Sequence, residues 1–135
     1  MLFNRLSKVF VFLLLLAIIV PACKKRSENR ILGTWERINI RDPYSKTIEF
    51  WDFQNSTTLI VSFFNSTSGD TTSSRNLNYN LPRAKKMNYW YPSDPDQVSI
   101  FEIKDLKKSM MRFQQMDGAV VLETYEFIKY QGGPI

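Results

Sequence analysis

Histidine is absent from the 135 residues, cysteine occurs once and glycine five times. The lack of histidine removes His-based triads, His metal ligation and imidazole acid–base chemistry. A single cysteine excludes an intramolecular disulfide and any multi-cysteine zinc or iron–sulfur site. So few glycines leave no Gly-rich phosphate loop, and the serines stand without a Gly-x-Ser-x-Gly elbow. Acidic residues are scattered rather than visibly paired for hydrolysis. Asp94, Asp96 and Asp105 invite a calcium reading, but Asp94-Pro95-Asp96 is more simply a turn. These absences point to a non-enzymatic role with no metal and no cofactor.

The chain carries a formal charge of +5. Residues 1–30 hold Arg5, Lys8, Lys24, Lys25, Arg26 and Arg30 against Glu28 alone, whereas the remaining 105 residues hold twelve basic and twelve acidic side chains. A basic nucleic-acid-binding domain is therefore not expected, and nucleic acid is excluded as a partner. The basic segment instead surrounds an apolar run from Val9 to Val20. Twelve residues rise about 18 Å as a helix, short of the roughly 30 Å hydrocarbon core, which suits a signal peptide.

The run ends at Val20-Pro21-Ala22-Cys23. A small residue before the only cysteine resembles the bacterial lipoprotein signal, in which that cysteine is lipidated and becomes the first residue of the mature chain. Val20 and Ala22 fit its box; Pro21 departs from it. The resemblance implies a signal peptide over 1–22, a lipidated basic tether over 23–30 with Cys23 as the attachment point, and a domain over 31–135. Lys24, Lys25 and Arg26 can lie against anionic headgroups. By resemblance to the sorting rule of such lipoproteins, a lysine rather than an aspartate after the cysteine implies passage to the outer membrane of the cell envelope.

From Ile31 onward no apolar repeat at three and four residues appears. Runs rich in Val, Ile, Thr, Tyr, Phe and Trp recur instead, near 34–41, 46–53, 57–65, 75–81, 85–91, 97–104, 107–115 and 119–130. The spacing predicts an all-β domain, an eight-stranded antiparallel up-and-down meander that closes into a barrel. Loops are expected over 66–74 and 92–96, and Asp117-Gly118 suits a tight hairpin turn. Leu77, Tyr79 and Leu81 alternate with three asparagines and so share one face. In the second and sixth strands the apolar residues change parity, from Phe50 to Trp51 and from Ile100 to Phe101, and a bulge inside each would restore one apolar face. The triplets at Asn55 and Asn65 fit the eukaryotic Asn-x-Ser/Thr sequon, which a bacterial lipoprotein is expected to leave bare.

The domain opens Leu32-Gly33-Thr34-Trp35 and closes on a strand from Leu122 to Tyr130. Gly33-x-Trp35 at the start of the first strand resembles the lipocalin signature, and the order of parts is similar to the lipocalin-like domains of bacterial envelope lipoproteins. That resemblance implies a lipocalin-like barrel, a basic residue such as Lys129 or Arg112 over the Trp35 ring, and binding of a small hydrophobic or neutral ligand inside. It lacks the family's second signature. The expected lining is the inward apolar set: Ile38, Ile40, Leu59, Val61, Phe63, Leu77, Tyr79, Met87, Tyr89, Met111 and Phe113. The alternative is a barrel filled by its own side chains. Such a barrel would use its loops, or Tyr89-Trp90-Tyr91, to engage an envelope protein or a glycan.

Overall fold

The computed structural model describes residues 23–132; the expected signal peptide lies outside them. A helix, α1, covers residues 23–31. Eight strands follow: β1 (Gly33–Ile38), β2 (Thr47–Phe53), β3 (Thr58–Asn65), β4 (Asp70–Arg83), β5 (Lys86–Tyr91), β6 (Asp94–Leu106), β7 (Met110–Asp117) and β8 (Val120–Lys129). Each pairs antiparallel with the next, and β1 pairs with β8, so the sheet is a closed up-and-down barrel without free edges. Strand direction alternates. The β2–β3, β4–β5 and β6–β7 turns therefore share one end with α1, the floor, and the remaining connections surround the other end, the mouth.

Two expected loops are shorter than their polarity suggested. β4 begins at Asp70, because Ser62, Phe63 and Phe64 continue the ladder onto Ser74, Ser73 and Thr71. The Thr and Ser residues are exposed on both faces of the mouth end of a long strand rather than forming a loop. Asp94-Pro95-Asp96 likewise belongs to β6: Tyr91 pairs with Asp94 and Trp90 with Val98, so residues 95–97 form a bulge that accommodates the proline. The turn itself is residues 92–93. Asp117-Gly118 turns as expected, with Gly118 at φ 57°.

The expected bulge between Phe50 and Trp51 is absent, since β2 runs in unbroken register against β3. Trp51 and Phe53 point inward, while Phe50 is buried on the outer face, its ring 5.1 Å from Tyr130. β6 is also regular from Val98 to Ile103 and breaks register only beyond it, leaving Val98 and Ile100 exposed outside. Parity changes here reflect two-sided covering in β2 and an apolar outer surface in β6. Asn55 and Asn65 shape turns: each side-chain oxygen accepts from the backbone N–H two residues on, at 2.8 Å in both cases.

The segment expected as a tether is helical and is tied to the barrel floor. Ile31 is fully buried, and Arg30 donates to the Leu106 carbonyl at 3.3 Å. The last carbonyls of a helix lack internal partners; here the Trp35 indole N–H donates to the Ile31 carbonyl at 2.7 Å and Lys129 donates to the Leu32 carbonyl. The Lys129 ammonium also lies 4.3 Å from the Trp35 ring centroid. Arg112 does not take that role; it pairs outside the barrel with Asp105 at 2.7 Å. Gly33 has φ 99°, and a β-carbon there would stand 2.8 Å from the Lys129 Nζ. The Gly33-x-Trp35 pattern thus serves backbone conformation, lysine packing and the helix end together.

Trp35→Phe keeps most of the packing but leaves the Ile31 carbonyl without its donor, so we expect a loss of about 1–2 kcal/mol in denaturant unfolding. Trp35→Ala should cost about 3–5 kcal/mol. A double-mutant cycle with Lys129→Met should return a coupling of about 0.5–2 kcal/mol, the cation–π share.

Candidate functional site

Nine of the expected lining residues face the barrel interior, but they pack against one another. Leu59, Val61, Leu77, Tyr79, Met87, Met111 and Phe113 belong to a single buried cluster, with Phe63 and Tyr89 half-buried against it. Ile38 and Ile40 do not line it. Ile38 is 41 % exposed on the outside of β1 and Ile40 is 60 % exposed beyond its end. The inward position at this level of β1 belongs to Arg37, two residues after Trp35. Cys23 is exposed at the start of α1.

Trp51 occupies the centre of the interior. Its ring lies 5.1–6.3 Å from those of Phe53, Tyr89, Phe101, Phe113, Tyr125 and Phe127. Edge-to-face and tilted pairs at such separations are favourable beyond the area they bury. An indole N–H this deep requires an acceptor, and Glu49 supplies one at 2.7 Å. The other Glu49 oxygen accepts from Arg37 at 2.8 Å, and Arg37 donates through its second terminal nitrogen to Glu123, also at 2.8 Å. The guanidinium stacks 4.0 Å from the Tyr125 ring centroid, and the Tyr125 hydroxyl donates to Gln115 at 3.1 Å.

This network forms the base of a cup of about 290 Å³ at the mouth, walled by Asn39, Ser45, Thr47 and Phe63. Open recesses of about 300 and 420 Å³ flank it around the β1–β2 connection. Partial burial works against the Arg37 charge, but the Glu49 hydrogen bond and charge outweigh it and hold the guanidinium above its ordinary value. Burial raises the Tyr125 phenol well above the usual range, and the Glu123 charge adds to this. Burial also raises Tyr89. The cup therefore offers hydrogen-bond donors and acceptors beside one aromatic wall, with its single cation already neutralised.

The apolar pattern of the sequence did not reveal Arg37, Glu49, Trp51 or Glu123 as a unit. Parity holds the signal: Trp35-x-Arg37, Glu49-x-Trp51 and Glu123-x-Tyr125-x-Phe127 each place a charge in line with inward aromatics, at the mouth end of the strand. Tyr89 points inward and Tyr91 is exposed, accepting from Arg75 at 3.4 Å, so Tyr89-Trp90-Tyr91 is not one surface. Asp94 and Asp96 stand at the mouth end of β6 and Asp105 at its floor end, so the three carboxylates do not converge. No family model, curated protein or solved structure matches the chain.

Arg37→Ala leaves Glu49 and Glu123 facing each other in a partly buried site; we expect a stability loss of about 2 kcal/mol at neutral pH. At the floor, burial and the nearby Glu28 charge raise the Tyr79 phenol from 10.0 to about 12, and its hydroxyl donates to the Asn55 carbonyl at 2.5 Å. Its stabilising share is intact below pH 10 and falls away as pH rises from 10 towards 12. Tyr79→Phe should flatten this alkaline loss, measured by unfolding at stepped pH, while lowering neutral stability by about 1 kcal/mol.

Proposed function

We propose that the chain is a lipid-anchored cell-envelope protein, a lipocalin-like barrel that fills its own interior and binds at its mouth without catalysing a reaction. The observation that carries this reading is the ring cluster around Trp51, which occupies the space a hydrophobic ligand would need. What stays open is the cup over Arg37, Glu49 and Glu123. Its lining suits a polar group from a glycan or an extended protein segment better than a lipid or sterol.

A strip of outward apolar residues adjoins the mouth. Ile100 pairs with Met116, Met116 with Val121, and Val98 lies on the same outer face. Val98, Ile100 and Val121 are each more than 40 % exposed, as expected of a surface that a protein partner covers. A small neutral ligand seated in the cup is a second reading, favoured by a volume near the roughly 300 Å³ at which ligand pockets begin. The anchor is Cys23, and the outer membrane is the destination implied by Lys24.

A photo-crosslinking side chain at Ser45 or Asn39, on the cup wall, should capture one stoichiometric envelope partner or glycan in intact cells. One at Gln54, on the floor, should not. Capture of nothing at the cup, alongside a hydrophobic molecule retained by the barrel in native mass spectrometry, would overturn the reading. Cys23→Ser should remove the acyl mass and release the chain from the membrane fraction.

A further inference from the structure

The domain after residue 30 sums to zero charge, yet the barrel sorts its charges by end. At the floor the β4–β5 turn carries Arg83, Lys85 and Lys86, and the β6–β7 turn carries Lys107 and Lys108, all exposed. Among the described residues none of these five has an ion-pair partner. The nearby carboxylates are engaged elsewhere, Glu102 by Lys104 at 2.5 Å and Asp105 by Arg112 at 2.7 Å. Helix α1 adds exposed Lys24, Lys25 and Arg26 to the same end, with Glu28 as its one acid. At the mouth the connections and strand ends carry Asp42, Asp70, Asp94, Asp96 and Asp117, against Arg41 and Lys46.

We infer that the floor of the barrel is a membrane-docking face. The five turn cations and the basic helix lie against an anionic phospholipid surface, and the cup faces away from it. This rests on the reading that Cys23 carries the lipid. Three features agree on the orientation. The attachment residue begins α1, α1 is fixed to the floor through Ile31 and Arg30, and both basic turns open at that end. The helix leaves little slack, so the anchor holds the turns within reach of headgroups. A barrel whose longest paired strands run 10–14 residues stands roughly 25 Å tall once tilted. The acidic mouth is thus beyond two Debye lengths at physiological salt, about 8 Å each, and scarcely opposes the attraction.

The test uses the mature lipidated protein from its host, reconstituted into vesicles of phosphatidylcholine alone or mixed with phosphatidylglycerol. With Cys23 blocked by lipid, Ser109→Cys in the floor turn or Ala119→Cys in the mouth turn supplies one labelling site. Energy transfer from that label to a headgroup-labelled acceptor lipid reports its height. Docking gives strong transfer at 109 and weak transfer at 119 in anionic vesicles, with the difference falling in neutral vesicles and at high salt. Replacing Lys85, Lys86, Lys107 and Lys108 by Glu should lower the docked-to-undocked ratio by more than about tenfold while the protein stays vesicle-bound and folded. Equal transfer from both positions, or transfer indifferent to lipid charge and salt, overturns the docking face while leaving the anchor intact. An intact mass showing Cys23 without lipid overturns the anchor reading, and the orientation with it.

Discussion

The structure depends on burying the Trp51 ring while satisfying its N–H. A tryptophan at the centre of a small barrel holds its surrounding aromatics at favourable tilts, but its one donor cannot be left unpaired there without a penalty of about 1–3 kcal/mol. Glu49 removes that penalty and would itself be an unneutralised charge, so Arg37 sits against it, and Glu123 and Tyr125 complete the guanidinium's surroundings. Each requirement follows from the one below it. The polar mouth is thus the upper boundary of an apolar core, and any molecule that docks there meets groups already fixed by the fold.

The floor solves a matching problem with another tryptophan. Trp35 fills the base of the interior and donates to the carbonyl that ends α1, and Lys129 covers the ring and takes the next carbonyl. Lys129 is held below its ordinary pKa by desolvation, partly offset by Asp52, as expected of an ammonium lodged against an aromatic face and the Gly33 backbone. The helix is therefore part of the barrel. Its basic residues and those of the floor turns share one end of the barrel, although the sequence separates them by more than fifty positions.

Most of the fold was legible because each strand declares itself through β-branched and aromatic residues at short intervals, and all eight elements lie close to their expected positions. Two misreadings share a cause: Thr71 to Ser74 and Asp94 to Asp96 are polar because they are exposed, and exposure at a barrel mouth does not break a ladder. The helix was hidden because Lys24 to Arg30 look like solvated tether; what orders them is the distant floor, through Ile31 and Leu106. Lining positions were legible as a face but not as a cavity, since alternation says which way Leu59 or Phe113 points and not whether another ring already stands opposite. Charge polarity between the ends was invisible to a sum over the chain.

The central claim is that the barrel interior is occupied by its own aromatic side chains. Titration of the protein with a neutral apolar fluorophore such as N-phenyl-1-naphthylamine tests it directly. The account predicts no saturable binding to the native chain, and the gain of a site in Trp51→Ala, where the vacated space is lined by aromatic rings and stays apolar. Saturable one-to-one binding of the fluorophore by the native protein, unchanged by Trp51→Ala, would contradict it.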